Sequence, residues 1–298
     1  MRAARLCRKP ALSNFGAAFS GAALVHLGVV MKHRVILASV TMAALAASIL
    51  FWLDPQASLD PPETIRIAAG PQDYRPAGEF RQGTRVVDAP RQRLDARGLQ
   101  IMKYHVSEAE YARCVADDAC PPVQGAERPD YAQTNLNHTD ATAYAAWFSV
   151  QTGQHWRLPT DAEWLRAAAE RGNDDGFSAD ANGDDPSRRW IASYLREVDL
   201  RGEADLLAHP MGHFGVNGLG VADIAGNIWE WTDSCFQNGT LSPDGSTIQT
   251  QSDYCGVRAA QGKHRAFVID FIRDARSGGC AAGVPPDYLG FRLMRDES

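Results

Sequence analysis

The sequence predicts an α+β domain, loop-rich, with few helices and short strands. Three observations carry that expectation. Three segments have helix start and stop signals. The remaining apolar residues fall in short pieces separated by Gly, Pro and Asn, and no βαβ rhythm runs through the chain. With 298 residues, 45% of them hydrophobic, the chain is long enough to bury one large core or two small ones.

The helices justify themselves in order. In "SEAEYARCV", Ser107 is the N-cap and Glu110 stands three residues on, the spacing of a capping box. "TDATAYAAWFSVQTG" starts at Thr139, puts Tyr144, Trp147 and Phe148 on one face and stops at Gly153. "TDAEWLRAAAERG" repeats the logic. Thr160 caps, Glu163 reaches back, Trp164 and Ala168 face inward, and Gly172 ends the helix.

Ahead of these lies a targeting signal. Residues 35–53 are an uncharged apolar run of about 19 residues, near the length that spans a hydrocarbon core of roughly 30 Å. Lys32 and Arg34 precede it, so the positive-inside rule puts the chain beyond Leu53 outside the cytoplasm. Residues 1–34 read as a cytoplasmic leader, with Met31 an alternative start to Met1, and 35–53 as an inner-membrane anchor. Ala44-Leu45-Ala46 offers a cleavage site and hence a secreted form, but the apolar run continues through Trp52, which favours an anchor. The Pro-rich 54–66 reads as a linker, and 67–298 as one domain on the periplasmic side. The net charge of −6 argues against nucleic acid as a partner.

Export makes disulfides permissible. Cys114 and Cys120 close a short loop at a helix end. Cys235 and Cys255 bracket a polar, Gly-containing loop with little apolar content. A bridge there would remove roughly 3 kcal/mol of unfolded-state entropy on the chain-entropy model. A cysteine metal site needs more ligands at CxxC-like spacing, and none is present. Cys280 is left over.

Four motifs then occur in order: "PAGEFRQG" at 76–83, "WRLPTDAEWLRAAAERG" at 156–172, "GVADIAGNIWEWTD" at 220–233 and "YLGFRLMRD" at 288–296. Together they resemble the formylglycine-generating enzyme, or sulfatase-modifying factor, family over residues 68–296. The cysteines around 114–120 and 235–255 resemble a bacterial branch of it. The resemblance implies a compact fold related to the C-type lectins, with bound calcium. It also implies that catalytic members oxidise a substrate cysteine using oxygen and Cu(I) held by two cysteines before the final "LGFR". Soft thiolates suit Cu(I), but the corresponding stretch here, "GKHRAFVIDFIRDARSGG", has none. The two copper positions fall on Lys263 and Val268, and Cys280 could supply one ligand at most. No copper and no catalytic residue are therefore expected.

The resemblance also assigns calcium to Asp223, Gly226, Ile228 and Glu230. Asp223 and Glu230 could offer carboxylates, Gly226 and Ile228 backbone carbonyls, at the roughly 2.3–2.6 Å a hard cation takes. Trp229 and Trp231 would point away from Glu230 into the core. The alternative is a carboxylate satisfied by backbone N–H groups. The family's second calcium site has no clear counterpart around 191–207.

Other candidates are weighed on residue type. His138 and Asp140 form an H-x-D pair that His155, His209, His213 or His264 could complete as an iron triad, against the plainer reading of a helix start with an acidic first turn. "HPMGH" has H-x-x-x-H spacing, but Pro210 and Gly212 deny it a helix that would place both rings on one face. The acidic 174–185 lacks the order of an EF-hand. Arg265, Arg273, Arg276 and Arg292 surround the lost copper segment. Arg276 and Arg292 in particular could receive a carboxylate in the family's groove, against ion pairing with Asp270, Asp274 and Asp287. The expected function is that of an accessory or maturation factor binding an exported peptide or partner enzyme. An oxidoreductase using another metal such as iron, and a lectin-like binding module, are the alternatives.

Overall fold

The structure is a computed structural model that describes residues 59, 61–123, 128–174, 208–269 and 288–297. All of them lie in one compact unit, Ser58–Ser298. The leader, the apolar run 35–53 and residues 54–58 and 60 of the expected linker lie outside the described residues, as do Cys280, Arg273, Arg276, Asp270, Asp274, Asp287 and nearly all of the acidic stretch. Among the described residues no helix is long and apolar enough to cross a membrane.

The chain opens with short strands, β1 (Thr64–Ile67), β2 (Gly70–Tyr74), β3 (Gly78–Gln82), β4 (Arg85–Val87), β5 (Gln92–Ala96) and β6 (Leu99–Met102). Helices α1 (Glu108–Ala116), α2 (His138–Thr152) and α3 (Asp161–Ala168) come next. Then come β7 (Trp229–Leu241), β8 (Ile248–Gln261), β9 (Arg265–Ile269), β10 (Leu289–Gly290) and β11 (Met294–Asp296). The α+β reading holds. β1 begins inside the stretch expected as linker, because Thr64 and Ile65 pair with Met102 and Ile101.

Among the described residues the strands form three sheets. One runs β1-β6-β11, so the C-terminal strand seals the N-terminal ones; another pairs β2 with β5. The largest runs β4-β3-β7-β8-β9, with β10 also pairing β7. β3 approaches β7 closely enough that a Cβ on Gly78 would run into the Gln237 carbonyl.

Two of the three helix starts are the expected ones. Ser107 Oγ accepts from Glu110 N at 3.2 Å while the Glu110 carboxylate accepts from Ser107 N at 2.7 Å. Thr160 and Glu163 do the same at 3.3 and 2.7 Å. α2 differs: its cap is Asn137, not Thr139. Asn137 Oδ1 accepts from Asp140 N at 2.9 Å and Asp140 Oδ2 accepts from Asn137 N at 3.1 Å. An Asx side chain with a carboxylate three residues on closes the box two residues earlier than Thr139 could. Gly153 ends α2 in the left-handed conformation (φ 65°). α3 stops before Gly172, at Ala169 (φ 49°), and a single 3-10 turn carries the chain on to that glycine.

The stretch between Cys235 and Cys255 is also not the loop expected. It is the outer half of the β7–β8 hairpin, with register from Phe236 opposite Tyr254 to Leu241 opposite Ile248. Its Ser-Pro-Asp-Gly-Ser segment is the turn. Asp244 accepts from Ser246 N at 3.1 Å, and Gly245 takes φ 74°. Leu241 and Ile248 pack with Phe80, Val87 and Ala89, which supplies the apolar support missing from the stretch itself.

The main core gathers around α2. Tyr144, Trp147 and Phe148 are buried with Trp156, Trp231 and Phe291, and the Tyr144 ring lies 5.4 Å from that of Phe291. A second cluster packs Trp164 of α3 on Leu99, Ile101, Val221, Ile224 and Met294. β6 and the segment carrying Arg292 contribute to both, Met102, Phe291 and Leu293 to the first and Leu99, Ile101 and Met294 to the second.

Candidate functional site

The loop before β7 is organised by two polar side chains of the motif "GVADIAGN". Asp223 (φ 56°) is fully buried; its carboxylate accepts from Phe214 N at 2.8 Å and from Gly212 N. Asn227 clamps His209 from both sides, accepting from its N at 3.0 Å and donating to its carbonyl at 2.9 Å. Extended backbone then begins, and side chains alternate. Trp231 is buried in the main core and its Nε1 donates to Leu136 O at 3.2 Å. Trp229 packs part-buried against the same core, edge-on to His264 at 4.6 Å.

Glu230, between the two tryptophans, points the other way into a buried charge cluster. Arg292 holds it with two bonds, Nε to Oε2 at 2.6 Å and Nη2 to Oε1 at 2.8 Å. His105 Nε2 lies 2.9 Å from Oε1. The guanidinium also donates to the carbonyls of Met102 (3.3 Å), Lys103 (2.9 Å) and Ala222 (3.1 Å). Burial on its own would raise the Glu230 pKa. Arg292 and then His105 outweigh it and bring the carboxyl down to about 2. Burial and the neighbouring guanidinium both push His105 down, towards its neutral form.

This geometry bears on the calcium positions Asp223, Gly226, Ile228 and Glu230. They lie close in the chain, but their carboxylates are engaged separately. Asp223 takes two backbone N–H groups, and Glu230 is bridged by a cation that the chain itself supplies. In this arrangement Arg292 donates to both Glu230 oxygens, so the carboxylate already has a cation beside it. Among the described residues no group of three or more His, Cys, Asp or Glu could hold a metal ion.

Arg292 does not line an open groove. It is fully buried and its donors are all directed at Glu230, His105 and three carbonyls, so nothing of it faces a ligand. Arg265 is inward too. Its Nη2 lies 2.6 Å from Asp161 Oδ2, its Nε 3.2 Å from Oδ1, and it donates to Arg75 O at 3.0 Å. Asp161, the first residue of α3, is fully buried and also accepts from Tyr74 Oη at 2.9 Å and Gln261 Nε2 at 2.5 Å. Burial first, and then the Asp161 charge, push the Tyr74 hydroxyl far up, so it stays protonated.

Of the two copper positions, Lys263 is exposed in the β8–β9 turn, while Val268 lies on β9, opposite Arg258 and packed against the main core. A Cβ on the neighbouring Gly262 would press into the Trp229 ring. Both expected disulfides form, Cys114–Cys120 with Cα atoms 5.3 Å apart and Cys235–Cys255 at 4.4 Å.

The histidines do not assemble as a triad. His138 opens α2, buried, with Nε2 3.4 Å from Asp233 Oδ1 and its ring edge-on to Trp231 at 5.8 Å, whereas Asp140 closes the cap box. The His138 contact, more than Arg258, holds the Asp233 carboxyl below its usual range. His209 and His213 are brought together, their rings stacked at 4.0 Å. Loop anchorage by Asn227 and Asp223 achieves what helical spacing could not, and nothing in the H-x-x-x-H pattern announces it. His105 and Asp161 were likewise missed as charge partners, because Glu230 and Arg265 lie 125 and 104 residues from them in sequence.

Comparison with known proteins agrees with this architecture. A family model described as sulfatase-modifying factor enzyme 1-like domain matches residues 52–297. The formylglycine-generating enzyme of Streptomyces coelicolor is 34% identical over 179 residues, covering 57% of this chain and 54% of that protein. The inactive C-alpha-formylglycine-generating enzyme 2 of Bos taurus is 30% identical over 175 residues, covering 55% and 54%. The chain thus spans about half the length of these curated relatives. Among solved structures, PvdO from Pseudomonas aeruginosa superposes with a TM-score of 0.50 over 80% of this chain and 96% of that one, at 18% identity, a likeness of fold alone. With the family model spanning both cores, the β7–β8 hairpin and the C-terminal strand, the chain belongs to the sulfatase-modifying factor enzyme 1-like domain family.

Proposed function

We propose that this chain is an exported, membrane-anchored sulfatase-modifying-factor-like protein that serves as an accessory or maturation factor, binding an exported peptide or partner enzyme without generating formylglycine. One observation carries the reading. Where the resemblance puts a pair of copper thiolates, the chain has Lys263 in an exposed turn and Val268, partly buried, packed against the core. An ammonium and an isopropyl group cannot supply the two soft ligands that Cu(I) chemistry needs. The four described cysteines of the domain are tied up in two disulfides. That the family includes a relative named inactive is consistent with a binding role. The anchor rests on the apolar run 35–53 behind Lys32 and Arg34.

The test is direct. Protein purified anaerobically is incubated with Cu(I), oxygen and a cysteine-containing peptide, and the peptide is followed by mass spectrometry alongside metal analysis. No loss of the thiol to an aldehyde and no stoichiometric copper or iron are expected. Either one, found at one equivalent or with turnover, sinks the non-catalytic reading.

A further inference from the structure

The Cys235–Cys255 bridge stands where a disulfide has little left to hold. The chain between the two cysteines is closed by its own ladder, from Phe236 opposite Tyr254 to Leu241 opposite Ile248. On the inner side, Trp231 opposite Ala260 and Glu230 opposite Gln261 continue the pairing, and β3 pairs with the same outer part of β7. The outer register, carried back one step, sets Cys235 opposite Cys255, with their Cα atoms 4.4 Å apart. That is the close spacing of a non-hydrogen-bonded antiparallel pair. Inward, however, Cys235 pairs with Arg258. Residues Cys255, Gly256 and Val257 are therefore left unmatched on the β7 side as a bulge, and the ladder is already interrupted at the bridge.

Exposure separates the two bridges. Cys255 is exposed and Cys235 half-buried, and residues 249–255 are exposed throughout. Cys114 and Cys120 are 0% and 6% exposed within the main core. Exposed disulfides are the ones a thiolate can reach, and are more readily reduced than buried ones.

We propose that Cys235–Cys255 is a thiol–disulfide exchange site for a dithiol reductant, and that the domain keeps its fold in both redox forms. A reductant thiolate attacks Sγ of the exposed Cys255. A new S–S bond forms to the reductant, the Cys235–Cys255 bond breaks, and Cys235 leaves as a thiolate that takes up a proton. The second thiol of the reductant, deprotonated, attacks the reductant's own sulfur in the mixed disulfide. Cys255 then leaves as a thiolate and is protonated in turn. Two electrons pass from the dithiol, which ends as a disulfide, to the hairpin, which ends as two thiols. This goes beyond the accessory-factor reading and does not rest on it.

The test uses the full chain without denaturant, in graded dithiothreitol, quenched with iodoacetamide and mapped by mass spectrometry. Cys235 and Cys255 are expected to be alkylated together at reductant concentrations about ten-fold below those that reach Cys114 and Cys120. Far-UV circular dichroism should stay unchanged. In Cys235→Ser, which leaves Cys255 as a thiol, Cys255 should carry a mixed disulfide after exposure to oxidised glutathione, mapped apart from any at Cys7 or Cys280. Equal reduction of both bridges, unfolding on opening of Cys235–Cys255, a Cys235→Ser protein that does not fold, or no mixed disulfide at its Cys255 would each overturn the proposal.

Discussion

Glu230 shows how much one residue depends on partners distant in sequence. It sits with Arg292 and His105 at 0% side-chain exposure, where an unpaired charge costs several kcal/mol. Glu230→Gln leaves the guanidinium buried without its counter-charge, and a loss of roughly 3–5 kcal/mol is expected in urea unfolding. The pH dependence has a definite sign. Because the folded carboxyl is depressed from 4.5 to about 2, its contribution is complete above about pH 4.5 and drains away as the pH falls towards 2. Between pH 5 and 3 the wild type is therefore expected to lose stability more steeply than Glu230→Gln. Parallel slopes would show that Glu230 is not held by this pair.

At the scale of elements, caps and turns carry much of what is local. Asn137 and Asp140 close the α2 box, so Asn137→Ala is expected to cost about 1 kcal/mol. Thr139→Ala, inside the first turn, should cost much less. Thermal unfolding of the two variants side by side tests which residue starts the helix. The β7–β8 hairpin has the same lesson. Its Pro-Asp-Gly turn is legible in the sequence, but its strands are polar and alternate weakly. What makes them strands is β3 alongside and the small cluster of Phe80, Leu241 and Ile248 at their end.

On the scale of the described molecule, a buried guanidinium ties together segments distant in the chain, gathering oxygens much as a hard cation would, from Glu230, Met102, Lys103 and Ala222. Chelation by EGTA is accordingly expected to leave the unfolding midpoint unchanged, and added calcium likewise. A midpoint that falls in EGTA and is restored by calcium, in wild type but not in Glu230→Gln, would place a cation at Glu230 after all.

The sequence by itself determined the fold class, two of the three helix starts, the inward-facing aromatics Tyr144, Trp147, Phe148 and Trp231, both disulfide pairings and the family motifs. These are local patterns of spacing and residue type, and each can be read from a few neighbours. Only the tertiary structure decided the fate of the charged groups. Arg265 and Arg292 face inward because Asp161 and Glu230 await them across 104 and 62 residues, and His209 meets His213 because Asp223 and Asn227 shape the loop between them. A side chain's burial and partner are fixed by long-range packing, where desolvation must be matched by an opposite charge or a hydrogen bond, and no local pattern records which one.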